Sequence, residues 1–246
     1  MTDNTTEIVE DQTLTPAAPR VPVWLLPSLL LASLVASGIG QQVIFNNRAL
    51  FYTDEPGFAP HPPEFLREQM WNMFYNHAIG FGTFGALLVG LIGWLIGLTL
   101  SLKRGIGGLV FGSALGGILG IILGPVGYLI SNTLMPSLMD GNVKSMLVYA
   151  PLWISFGIAA SAFAALLLQR PRLLGNAVVF GIIAGAMAAI AFPILCSLLQ
   201  PSSRFELIIP EELGGRFLGY ACGAVATSLA AFRIAQKRIT QHSPPQ

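Results

Sequence analysis

Charge is what this chain lacks most. Only 10% of its 246 residues are Asp, Glu, Lys or Arg, and it has three histidines and two cysteines. A soluble domain carries roughly 25% charged residues, so a water-exposed globular fold is excluded. Two cysteines exclude a disulfide framework, and three scattered histidines give no metal-ligand cluster. A net charge of +1 lacks the bulk basicity of a nucleic-acid binder. Walker loops, HExxH and dinucleotide fingerprints are also missing, so the sequence implies no cofactor.

What the chain has instead is apolar length. Hydrophobic residues make up 53%, mean hydropathy is +0.66, and 27 residues are glycine, above the usual ~7%. The few charges cut it into membrane-length pieces: none occurs in 21–47, 69–102, 105–139, 145–169, 173–203 or 217–232. A spanning helix needs about 20 predominantly apolar residues, because backbone groups in lipid must bond within their own segment. The sequence therefore predicts an all-α polytopic membrane bundle of six helices, at 23–45, 74–101, 106–130, 147–168, 174–199 and 215–234. Residues 1–22 and 236–246 are too polar to pack and read as disordered tails, with the membrane domain over 23–235. The acidic stretch before the first span is the wrong n-region for a cleaved signal, which favours a retained anchor. The segment 46–73 is the one substantial loop. Its part 64–73 mixes Phe65, Trp71 and Met73 with Arg67 and Glu68, which predicts a helix lying at the interface and feeding the second span.

Orientation follows from the basic residues. With the N-terminus inside, the inner segments hold Arg20, Lys103, Arg104, Arg170, Arg172, Arg233, Lys237 and Arg238; the outer ones hold Arg48, Arg67, Lys144, Arg204 and Arg216. The bias places both termini in the cytoplasm, and a bacterial plasma membrane is the expected location.

Small residues recur every fourth position, which places them on one helix face. The third span carries Gly108, Gly112, Gly116, Gly120 and Gly124. The fifth has Ala177, Gly181, Gly185, Ala189 and Pro193, and the sixth Gly215, Gly219, Gly223, Thr227 and Ala231. Such faces let helix backbones approach closely, a glycine-zipper arrangement. Val110-Phe111-Gly112 and Val179-Phe180-Gly181 lie 69 apart, and Thr83-Phe84-Gly85 parallels Ser155-Phe156-Gly157. Spans two and three thus form a hairpin similar to that of spans four and five, with spans six and one as a permuted third.

Few residues carry the marks of chemistry. Glu211, Glu212 and Arg216 form an EExxxR stretch that resembles the signature of the CAAX-processing membrane endopeptidases, which implies a glutamate general base on water. The only downstream histidine is His242, in the polar tail, and a loop-to-helix junction with Arg216 snorkelling to the headgroups explains the same residues. Asn76 and His77 form the most polar pair near the bilayer and read as interfacial groups bonded to water or a neighbouring helix. Pro125 and Pro193 interrupt spans three and five, either as tolerated kinks or as the lining of a solute path. Cys196 and Cys222 fall at similar depths, as a disulfide or as two buried thiols.

The residues point first to a non-enzymatic membrane protein that packs or associates through Gly and Ala faces. A channel or transporter for a small neutral or apolar solute comes second, and an intramembrane protease using Glu211 and Glu212 a distant third. The expected partner is the lipid bilayer, with the glycine faces open to a second copy or another membrane protein.

Overall fold

The computed structural model describes residues 21–51, 63–130, 141–199 and 213–237. These are helical throughout, with no strand among them. The six helices are α1 (Leu25–Phe51), α2 (Pro63–Leu98), α3 (Leu102–Leu129), α4 (Gly141–Leu167), α5 (Leu174–Leu199) and α6 (Leu213–Gln236). All six are long and apolar enough to cross a membrane. Of the predicted tails only residues 21, 22, 236 and 237 are described, with Gln236 the last residue of α6, and Glu211 and Glu212 lie outside the described residues.

Helix ends differ from the charge-gap reading because charged residues sit inside first and last turns. Helix α3 begins at Leu102, not 106, since Ser101 caps it by accepting the Arg104 N–H at 3.2 Å. Likewise α4 takes in Lys144, while α6 runs two residues beyond the predicted span at each end. The largest correction concerns 64–73. These residues are not a separate interfacial helix but the first turns of α2, which runs unbroken for 36 residues. Pro63 suits a first helical position, and no Gly or Pro falls between Glu64 and Ala78 to interrupt the helix. At 1.5 Å per residue α2 is about 54 Å long, well beyond a ~30 Å hydrocarbon layer.

Contacts fix the arrangement. Successive helices around a closed ring pack side by side: α1 on α2, α2 on α3, α3 on α4, α4 on α5, α5 on α6 and α6 on α1. Inside that ring α2, α4 and α6 also touch one another. In the most apolar stretch of each helix, 61, 50 and 56% of residues are buried in α2, α4 and α6, against 44, 22 and 33% in α1, α3 and α5. The bundle is therefore an inner triangle of even helices wrapped by odd ones. Gly40 meets Phe84 and Gly80 meets Ile44, so α1 and α2 are antiparallel. The same holds for α2 with α3 and α4 with α5, so the even helices all begin at one end, here the loop end. The two short turns lie at the other, the hairpin-turn end.

The α4–α5 turn is closed by a left-handed residue. Gln169 has φ 57°, its N–H donates to Leu166 O at 2.9 Å, and the Arg170 N–H reaches back to Ala165 O at 2.8 Å. This is a Schellman stop with glutamine where glycine is favoured. A 3-10 turn, Pro171–Leu173, then leads into α5.

Candidate functional site: the inner triangle and its loop-end half

The inner face of α6 is set by helical spacing. Arg216, Tyr220, Gly223 and Thr227 follow at steps of three and four and form one stripe. That stripe meets Phe81 and Phe84 on α2 and Trp153 on α4. Aromatic rings interlock where the three helices converge. Phe84 lies 4.6 Å from Tyr220 and 5.8 Å from both Trp153 and Phe156, centroid to centroid. Tyr149 stacks on Trp153 at 5.8 Å and meets Phe192 of α5 edge-on at 4.8 Å. Offset and edge-to-face pairs at such distances are the favoured ring geometries.

Buried in the bundle are polar atoms that have no hydrogen-bond partner: Tyr220 OH and Trp153 Nε1 in the aromatic core, and Thr227 Oγ1, Gln41 Oε1 and Asn76 Oδ1. Each belongs to a residue at most 8% exposed. An unpaired buried polar atom costs roughly 1–3 kcal/mol, so α1, α2, α4 and α6 each hold unused hydrogen-bonding capacity. Trp153, Tyr149 and Tyr220 were not singled out from the sequence, and Thr227 only as a member of the small-residue column of the sixth span. The available signal was the appearance of polar-tipped side chains on faces otherwise built of small residues.

Two expectations are overturned here. Arg216 does not snorkel to the headgroups. It is 4% exposed, on the stripe that points into the bundle, and its guanidinium lies within electrostatic range of the Tyr220 hydroxyl. Asn76 and His77 are not wet interfacial groups either, being 5% and 4% exposed. Nδ1 of His77 donates to Met73 O at 2.6 Å within its own helix, and the ring packs against Tyr128 at 5.0 Å. Because α2 extends so far beyond the span, both residues lie well inside the helix instead of at its mouth.

The glycine columns fall into two kinds of contact. On α3, a methyl at Gly108, Gly112, Gly116, Gly120 or Gly124 would collide with a carbonyl oxygen of α2, from Gly93, Val89, Gly85, Phe81 and His77 in turn. The two series step by four in opposite directions, backbone against backbone. On α5, Gly181 and Gly185 face the α4 backbone at Ile158 and Ile154, and Ser161 Oγ bridges the same pair of helices, 2.7 Å from Ala177 O. On α6 the glycines instead receive rings: Gly223 faces the Trp153 indole, and a methyl on Gly219 would stand 3.1 Å from Phe192. Gly215 is buried on that helix too. Helices α1 and α6 are joined by hydroxyls, with Ser33 Oγ 2.7 Å from Ser228 Oγ.

Pro125 and Pro193 are buried, and α3 and α5 run through them as continuous helices. Cys196 and Cys222 are free thiols, not a disulfide. Cys196 is buried, while Cys222 lines an apolar, open-sided groove of about 350 Å³ between α5 and α6 with Ala188, Ala191, Val225 and Leu229. Among the described residues no group of three His, Cys, Asp or Glu side chains converges. No family model, curated protein or solved structure matches the chain.

Proposed function

We propose that this chain is a non-enzymatic, interaction-based membrane protein built from glycine-zipper hairpins. The observation that carries this reading is the ring-filled centre, where Phe84, Trp153, Phe156 and Tyr220 occupy the space that a solute path would need. The α2–α3 pair is the zipper proper, supported by the five glycines that face five carbonyls. The α4–α5 pair is its similar partner: Gly157 on α4 corresponds to Gly85 on α2, and each faces a glycine carbonyl of the following helix. Helices α6 and α1 complete the third hairpin. Since α3 turns its glycines toward α2, association with a second copy or another membrane protein falls to the outward faces and the loop-end segment 46–73. The proposed setting is a bacterial plasma membrane with both termini cytoplasmic, the side favoured by the basic turns.

A second reading, passage of a small neutral or apolar solute, draws support from the unpaired Tyr220, Trp153, Gln41 and Asn76 atoms, which a mobile centre would expose to a solute. Purification in a mild detergent and reconstitution into liposomes separates the two. The first reading expects a co-purifying protein or a stable oligomer and no solute flux above empty vesicles. Saturable flux, lost on replacing Trp153, would replace it with the second.

A further inference from the structure

We propose that the hairpin-turn end of the bundle is a docking surface for anionic phospholipid headgroups, formed by three pairs of cations, one pair per hairpin. Lys103 and Arg104 open α3, Arg170 and Arg172 lie in the α4–α5 turn, and Arg233 and Lys237 close α6 beside the start of α1. All but the half-buried Arg170 are exposed. The described residues contain two carboxylates, Glu64 and Glu68, and both sit at the opposite end, in the first turns of α2. Nothing of opposite sign among the described side chains therefore balances the six cations.

The nearest acceptors are already committed. Carbonyls at the end of α6, the negative pole of that helix, are met by Arg170, whose Nη1 donates to Lys237 O at 3.0 Å and to Ala235 O at 3.4 Å. Lys237 Nζ stands 5.9 Å over the Phe180 ring. Lys103, Arg104, Arg172 and Arg233 are left as solvent-directed cations spread around one rim. Leu102, 68% exposed, and Trp24, 44% exposed, flank them, the mixed apolar and aromatic edge that lies at a headgroup plane. A rim where apolar helices end and cations begin is level with lipid phosphates, which makes the leaflet itself the complementary anion.

The test uses the full chain in nanodiscs of equal phosphatidylcholine and phosphatidylglycerol, extracted gently and analysed for retained lipid. Phosphatidylglycerol should be enriched several-fold, and each exposed cation neutralised should weaken retention by up to about fivefold, the equivalent of ~1 kcal/mol per Lys or Arg. The combination Lys103→Gln, Arg104→Gln, Arg172→Gln and Arg233→Gln should abolish enrichment, whereas Arg67→Gln at the loop end should leave it intact. Arg170 is kept because it holds α6. Should the fourfold variant fail to fold, the unaltered protein still decides the matter, since rising salt must erode the enrichment by screening. Equal retention of both lipids overturns the proposal, as does enrichment that survives the fourfold change or high salt. A surface neutralised from within overturns it too: no enrichment until Asp3, Glu7, Glu10 and Asp11 are made neutral would mean that the chain's own acidic segment covers the rim.

Discussion

Two adjacent glycines on α3 face different surroundings. A methyl at Gly116 would run into the Gly85 carbonyl, while one at Gly117 would make an ordinary 3.5 Å contact with Ala86 Cβ. Gly116→Ala should therefore cost about 2 kcal/mol through overpacking, read as a lower melting temperature in detergent. Gly117→Ala should cost nothing and gain up to ~1 kcal/mol from helix propensity; equal losses would refute the ladder. Gln169 is the converse case, a side chain held at φ 57°. Gln169→Gly should raise stability by roughly 1 kcal/mol, because the left-handed conformation penalises a Cβ. Tyr220→Phe removes a hydroxyl that has no partner, so melting should be unchanged or slightly higher. A drop of several degrees would mean that the hydroxyl is bonded after all. Residues such as Gly116 were legible because a spacing of four fixes a face. Arg216 was not, because the spacing says which residues share its stripe and nothing about whether α2 and α4 cover that stripe.

At the scale of elements, the six helices could be read from the gaps between charges, since lipid forbids unpaired backbone within a span. Their ends could not. A charge in a terminal turn is compatible with helix as long as the side chain reaches water, as Arg104 and Arg233 do. The continuity of α2 escaped for a related reason: Arg67, Glu68 and Gln69 mark where apolar sequence begins, not where hydrogen bonding begins. The short turns after α2 and α4 put Lys103 and Arg170 at the same end as Lys237. Reporter fusions at Lys103, at Arg170 and at the C-terminus should thus report one compartment, the cytoplasm if the basic bias governs insertion. A split result would break the six-helix topology.

For the molecule as a whole, what matters is which helices are inside. No periodicity in one span reveals that α2, α4 and α6 meet, because their contacts join residues far apart in sequence, such as Phe84 with Tyr220. Close glycine-to-backbone contacts join α3 to α2 and α5 to α4, and the rings fill the centre. Thiol labelling tests that filling directly. In a background with Cys196 and Cys222 replaced by alanine, a cysteine at Leu88, which is 0% exposed in the core of α2, should resist a water-soluble maleimide in intact proteoliposomes. A cysteine at Trp71, 48% exposed near the loop end, should react. Rapid labelling at Leu88 in the folded protein would show water in the middle of the bundle and contradict the closed, interaction-based reading.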